Sequence, residues 1–358
     1  MVDKRVEKFA KVLVDYSMCV KKGEYVKIRG TTEAKPLILE LYKAVLKKGA
    51  YPLLDVEFPE LNYIYYKNAS EEQLKTFPQL KMDELKKVQV YFGIISPKNT
   101  RDLSKINPKI VGLRNKVTRP ISDYIVNGRP NIRRCTTCYP TVALAQEAEM
   151  SIQEYEDFVF SAVNIDWKKE KERLKKINTA FEKGSEVRII GKETDIKLSI
   201  KGKNSVADYG EENMPGGEVF MAPVRESLNG HIKFTYPAIY MGREVSDIYL
   251  EFKNGKVVNY DASKNKDTLK IVLNTDKNSS YVGELGIGCN PKITKFTKEL
   301  LLDEKIHGTV HLALGMAYKQ NGGGNDSAVH WDIVKELRDG GEIILDGKVI
   351  QKNGKWLI

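Results

Sequence analysis

The chain has 358 residues, 41% hydrophobic and 30% charged, with a net charge of +10. That length supports two domains with cores of their own, and the composition excludes a disordered or low-complexity protein. Four cysteines at this length exclude a disulfide framework, and no apolar run reaches the length of a membrane helix. The positive charge is interleaved with Glu, as in residues 168–176 (KKEKERLKK). It therefore reads as a solvated, heat-adapted surface before it reads as a nucleic-acid footprint.

The N-terminus, MVDKRVEKFAKVLVDYS, is charged and has no apolar core of signal-peptide type, so a cytoplasmic protein is expected. Val6, Phe9, Leu13 and Tyr16 recur at helical spacing, and Lys21-Lys22-Gly23 ends that helix. Glu24–Arg29 reads as a strand, 34–48 as a helix closed by Gly49, and Tyr51–Phe58 as the next strand. Strand, helix and strand joined by short connections predict a parallel α/β unit. A helical segment ends at 83–87, and Val88–Ile95 and Lys109–Leu113 look like two further buried strands. Neither GxGxxG nor GxxxxGK[ST] occurs, so no phosphate-cradling loop is present. Cys135 and Cys138 form a lone CxxC with no second pair to complete a zinc site. A long helical region runs from about Thr141 to Lys183, and Gly184 ends it.

From Glu186 the pattern changes to short alternating strands. Asn254-Gly255, Asp346-Gly347 and Asn353-Gly354 are hairpin turns of the positive-φ type. The predicted architecture is an α/β N-terminal domain, residues 1–184, followed by an α+β, strand-rich C-terminal domain, residues 185–358, that carries the chemistry.

That chemistry centres on 308–332 (GTVHLALGMAYKQNGGGNDSAVHWD), which holds two of the four histidines, His311 and His330. His330 and Asp332 sit at i, i+2 in a strand-like run, so they project from one face. His311 precedes Tyr318 by seven residues, about two turns if the segment is helical. Glu218, after Gly216-Gly217, and Glu284, in YVGELGIGCNP, lie in apolar, glycine-rich settings where an unpaired carboxylate is costly. Three carboxylates and two imidazoles suit a pair of divalent ions. One His and one terminal carboxylate would serve each, with the third carboxylate shared. Mixed nitrogen and oxygen donors favour Zn, Co or Mn.

The blocks NMPGGEVF, GELGIG, HLALGMAY and NDSAVHWD resemble those of the aminopeptidase T / aminopeptidase S family of metallo-aminopeptidases. KKGEYVKIRG, KKGAYPLL and FVFSAVNIDW are similar too, so the likeness covers nearly the whole chain. The resemblance implies metal ligands at Glu218, Glu284, His311, His330 and Asp332, an active-site tyrosine at Tyr318, peptide substrates with a free N-terminus, and a homodimer. Two metals would activate a bridging hydroxide, with Tyr318 stabilising the oxyanion. Glu211, Glu212 and Glu284 are candidates to carry the proton to the leaving amine. The chain is short for the family, and NMPGGE replaces a more polar loop found in some relatives. The alternative is a non-catalytic, basic RNA- or protein-binding module whose metal site is structural or absent, motivated by the +10 charge.

Overall fold

The computed structural model describes residues 3–128 and 130–358, which divide into two compact units. The first comprises the chain up to Ile165 together with Gly210–Pro215. Its five strands are all parallel, in the spatial order Tyr51–Glu57, Tyr25–Thr31, Val90–Ile95, Arg133–Cys138 and Asn213–Met214. Helices cover such a sheet, and the apolar run of Val90–Ile95 is what a strand enclosed in that way requires.

One expected strand is absent. Lys109–Leu113 lies inside the helix Pro108–Asn127. Local capping overrides the β-like composition there. The Asn107 side chain accepts from the Lys109 N–H at 3.0 Å, and Pro108 pre-sets the backbone of the first turn. Cys135 and Cys138 are both buried on the Arg133–Cys138 strand. Three residues apart on a strand, they point to opposite faces.

The long helical region resolves into Val142–Glu147, Ile152–Val163 and Trp167–Lys183. A Ser151–Glu154 capping box and an Asp166 N-cap mark the restarts. The last of these helices belongs to the second unit, Asp166–Tyr209 plus Gly216–Ile358. Its Leu174, Ile177 and Phe181 share a core cluster with Val187, Ile189 and Leu198. The division therefore falls at Ile165/Asp166 and not at Gly184.

The second unit contains an eight-stranded antiparallel sheet and a five-stranded antiparallel sheet, and residues of both contribute to one core. The three predicted hairpin turns have positive φ at both central residues: 50° and 77° at Asn254-Gly255, 48° and 81° at Asp346-Gly347, 49° and 72° at Asn353-Gly354. The five-stranded sheet carries the candidate site. Its order is His330–Glu336, Thr309–Gly315, Val282–Gly288, Glu218–Met221 and Ser205–Asp208.

Candidate metal centre

Strand alternation assigns the faces of this sheet. Val310, Leu312, Leu314, Trp331, Ile333, Val219 and Met221 join the core. The opposite face therefore receives His311, His330, Asp332 and Glu218. On the central strand, Val282, Leu285 and Ile287 are core residues, so the phase changes between 282 and 285. A β-bulge there, between Val282 and Glu284, makes the change. It aims Glu284 at the site face along with Gly286 and Gly288, as bulges do elsewhere when they re-aim a side chain. Gly283 lets the partner strand approach, since a Cβ there would lie 2.3 Å from the Met316 carbonyl oxygen.

His311 and Tyr318 are not two turns of a helix. His311 is central in the Thr309–Gly315 strand, every residue of which is buried, and Tyr318 follows it at the start of a short 3₁₀ turn. A strand buried on both faces has no polar alternation to betray it, and its apolar run is indistinguishable from a core helix. Tyr318 still reaches the site, with its ring 5.1 Å from that of His330 and 6.3 Å from that of Phe220.

All five expected ligands meet. His311 Nε2 lies 3.5 Å from Glu218 Oε2 and 3.5 Å from Glu284 Oε1. His330 Nε2 lies 3.5 Å from Asp332 Oδ2. One donor atom each of Glu284, His330 and Asp332 falls within a 4.8 Å group. The Nδ1 of His330 is 2.9 Å from the Met316 carbonyl oxygen. Protonated there, it donates to that oxygen and leaves Nε2 for an ion, the usual arrangement of a ligating imidazole.

The electrostatics are those of an acid-rich pocket out of water. Burial pushes Glu218 up to about 8, with Lys305 pulling the other way, and burial raises Asp332 to about 6 against the pull of His330. Burial disfavours a charged His311, yet Glu284 and Glu218 overrule it and lift the imidazole to about 9. His330 is raised as well, because Asp332 and Glu284 outweigh its burial. Burial and the surrounding Glu284, Asp332, Glu304 and Glu218 raise the phenol of Tyr318, so its proton stays on at neutral pH.

The residues fit a divalent ion on two observations. Among the described residues, Glu218 Oε2, both ring nitrogens of His311 and both oxygens of Asp332 are buried without a hydrogen-bond partner. Five such atoms in one cluster is an unusual deficit, because buried polar groups are nearly always satisfied. The second is space. A Cβ at Gly286 would sit 1.9 Å from His311 Nε2, so the glycine is what leaves room for the ring.

Two residues of the site escaped the sequence reading. Lys305 is fully buried, and its Nζ lies 3.1 Å from Glu218 Oε1 and 3.1 Å from Glu304 Oε2. Both sit in the charged run DEKIHG, which looks like solvated surface, and no local pattern distinguishes it. The spare histidines stay outside the cluster. His231 lies on the Asn229–Lys233 strand beside Tyr249, and burial lowers His307, which sits in a turn. Glu211 and Glu212 fall in the segment that belongs to the first unit, where Arg134 lies 3.5 Å from Glu212.

Residues 2–356 match the family model described as thermophilic metalloprotease (M29). The chain belongs to that family. It is 26% identical over 404 residues to Aminopeptidase 2 of Geobacillus stearothermophilus, covering 99% of this chain and 95% of that one. The solved structure of wild-type AmpT from Thermus thermophilus superimposes with a TM-score of 0.84 at 22% identity, covering 99% of each chain. The 2,5-dihydroxypyridine dioxygenase of Pseudomonas putida shares the fold at a TM-score of 0.61 and 12% identity, covering 98% and 96%. The fold thus serves more than one chemistry, and the site has to decide between them. Membership of a metalloprotease family displaces the alternative of a non-catalytic binding module.

Proposed function

We propose that this protein is a metal-dependent aminopeptidase, releasing the N-terminal residue of peptides with two divalent ions held by Glu218, Glu284, His311, His330 and Asp332. The observation that carries the reading is the convergence of these five residues, with buried polar atoms of Glu218, His311 and Asp332 left without a hydrogen-bond partner among the described residues. His311 with Glu218 would hold one ion and His330 with Asp332 the other. Glu284, within 3.5 Å of His311 and grouped with His330 and Asp332, would be shared. Zn, Co or Mn suits this donor set. Such ions, when bound, supply water acidified toward neutrality and a Lewis acid for the scissile carbonyl.

The chain's own residues would do the rest. Met316 O fixes the ring of His330, and Gly286 leaves the space that the His311 ring occupies. Tyr318, protonated at neutral pH, would donate its phenol hydrogen to the oxyanion. Glu284 is the candidate proton carrier that lies inside the cluster. A homodimer in the cytoplasm completes the proposal.

The test is metal analysis of the purified protein combined with hydrolysis of aminoacyl anilides before and after exhaustive chelation, with light scattering on the same sample to read the assembly. About two ions per chain and activity lost on chelation are expected. Activity that survives chelation would sink the proposal.

A further inference from the structure

Lys305 is an odd neighbour for a cluster that attracts cations. Its side chain is fully buried and bridges Glu218 Oε1 and Glu304 Oε2 at 3.1 Å each. Its backbone is pinned as well: the N–H donates to Leu302 O at 3.0 Å, and its carbonyl accepts from the Asn290 N–H at 3.1 Å. The main chain thus holds the lysine beside Glu218 and Glu304.

The charges explain its presence. Glu218, Glu284 and Asp332 carry three negative charges when ionised, the complement of two divalent ions and one hydroxide. Glu304, whose side chain is 19% exposed, and the buried Asp208, paired in register with Glu218, add to that negative charge, and Lys305 offsets part of the excess. The lysine also divides the two oxygens of Glu218. Oε1 is taken by the ammonium, while Oε2 has no hydrogen-bond partner among the described residues and lies 3.5 Å from His311 Nε2.

We propose that Lys305 is a resident counter-ion of the metal centre, a positioning residue that acts through Glu218. It occupies Oε1, leaves Oε2 alone for ligation, and holds the acid-rich site together before any ion enters. The inference rests on the reading of the cluster as a metal centre. Without Lys305, two carboxylates lose their shared partner in a buried setting, which is strongly destabilising. Incoming ions supply positive charge to the same place, so the loss should fall mainly on the metal-free protein.

The experiment compares melting temperatures of full-length wild type and Lys305→Met, each stripped by chelator and then reloaded with zinc or cobalt ion alone. Methionine keeps the unbranched stem as far as the ε position and removes the ammonium group. The stripped variant should melt roughly 10 °C below the stripped wild type, from the cost of breaking a buried pair in a chain this long. The loaded forms should differ by only a few degrees, so the ion-induced gain is larger in the variant. An equal fall in both forms marks a packing role and overturns the proposal. A wild type that gains nothing from either ion sinks the metal reading itself, a distinguishable result.

Glu304→Gln reads the same point from the other side and serves also if Lys305→Met does not fold in either form. It removes one negative charge beside the site and keeps the lysine, so ions should bind at least roughly tenfold more weakly and the ion-induced gain should shrink. A gain equal to the wild type's would overturn the proposal.

Discussion

Alanine at position 286 would put a methyl carbon where the imidazole of His311 now lies. A Cβ built on Gly286 falls 1.9 Å from His311 Nε2, 2.2 Å from Cε1 and 2.7 Å from Cδ2. Carbon contacts settle near 3.5 Å or beyond, so the ring would have to retreat by about 1.5 Å. It has nowhere to go, since His311 has no exposed surface and its strand is paired on both sides. Overpacking of this kind costs about 1–3 kcal/mol. Strand propensity alone predicts the opposite sign, because glycine is the poorer strand former, so a fall in stability isolates the clash. For function, a candidate ligand displaced by about an ångström should cost at least 10²-fold in rate and roughly 10–100-fold in metal affinity. The assay is a thermal melt to show that Gly286→Ala folds, metal content after desalting, and kcat on an aminoacyl anilide. A folded variant with full metal content and wild-type kcat would refute the geometry, because the imidazole would then not depend on the space that Gly286 leaves.

The remaining expectations concern the ligands, the phenol and pH. Asp332→Asn should abolish metal retention, whereas Tyr318→Phe should keep it and lower kcat by about 10²–10³ with little change in KM. Full metal content with an unchanged kcat in Tyr318→Phe would remove the tyrosine from the chemistry. The metal-free protein should lose stability as pH rises. Asp332, Glu218 and His311 have folded-state pKa values of about 6, 8 and 9 against ordinary values of 3.8, 4.5 and 6.5. The native state therefore holds these protons more tightly than the unfolded chain does. Their contribution is complete below the ordinary values and disappears as pH climbs through 6, 8 and 9. Ion binding displaces the same protons, so the stabilisation by metal should grow over that range. A melting temperature of the stripped protein that is flat or rising from about pH 5 to about pH 9 would contradict the shifts.

Some of this molecule is decided by residues close together in the chain. The i, i+2 placement of His330 and Asp332 on one strand face follows from the period of a strand alone. So do the hairpins at Asn254-Gly255, Asp346-Gly347 and Asn353-Gly354, whose residue types tolerate the φ that the turns demand. The α/β character of the first half is equally local, a matter of strand and helix periods with short connections. Where an apolar run is short or uniformly buried, the local signal fails. Lys109–Leu113 became helix because Asn107 and Pro108 start one, and HLALG became strand because both its faces find partners far away in sequence.

Only tertiary structure decides the rest of the site. Four antiparallel strands have to pair in one register before Glu218, Glu284, His311, His330 and Asp332 share a face. A one-residue slip would turn each of them into the core. The bulge at Gly283 is invisible in the sequence and sets the phase of Glu284. Lys305 is the clearest case. Its neighbours in the chain are charged and give no sign of burial, while its partner Glu218 lies 87 residues away. A buried charge is fixed by what surrounds it in space, and that environment exists only once the sheet has formed.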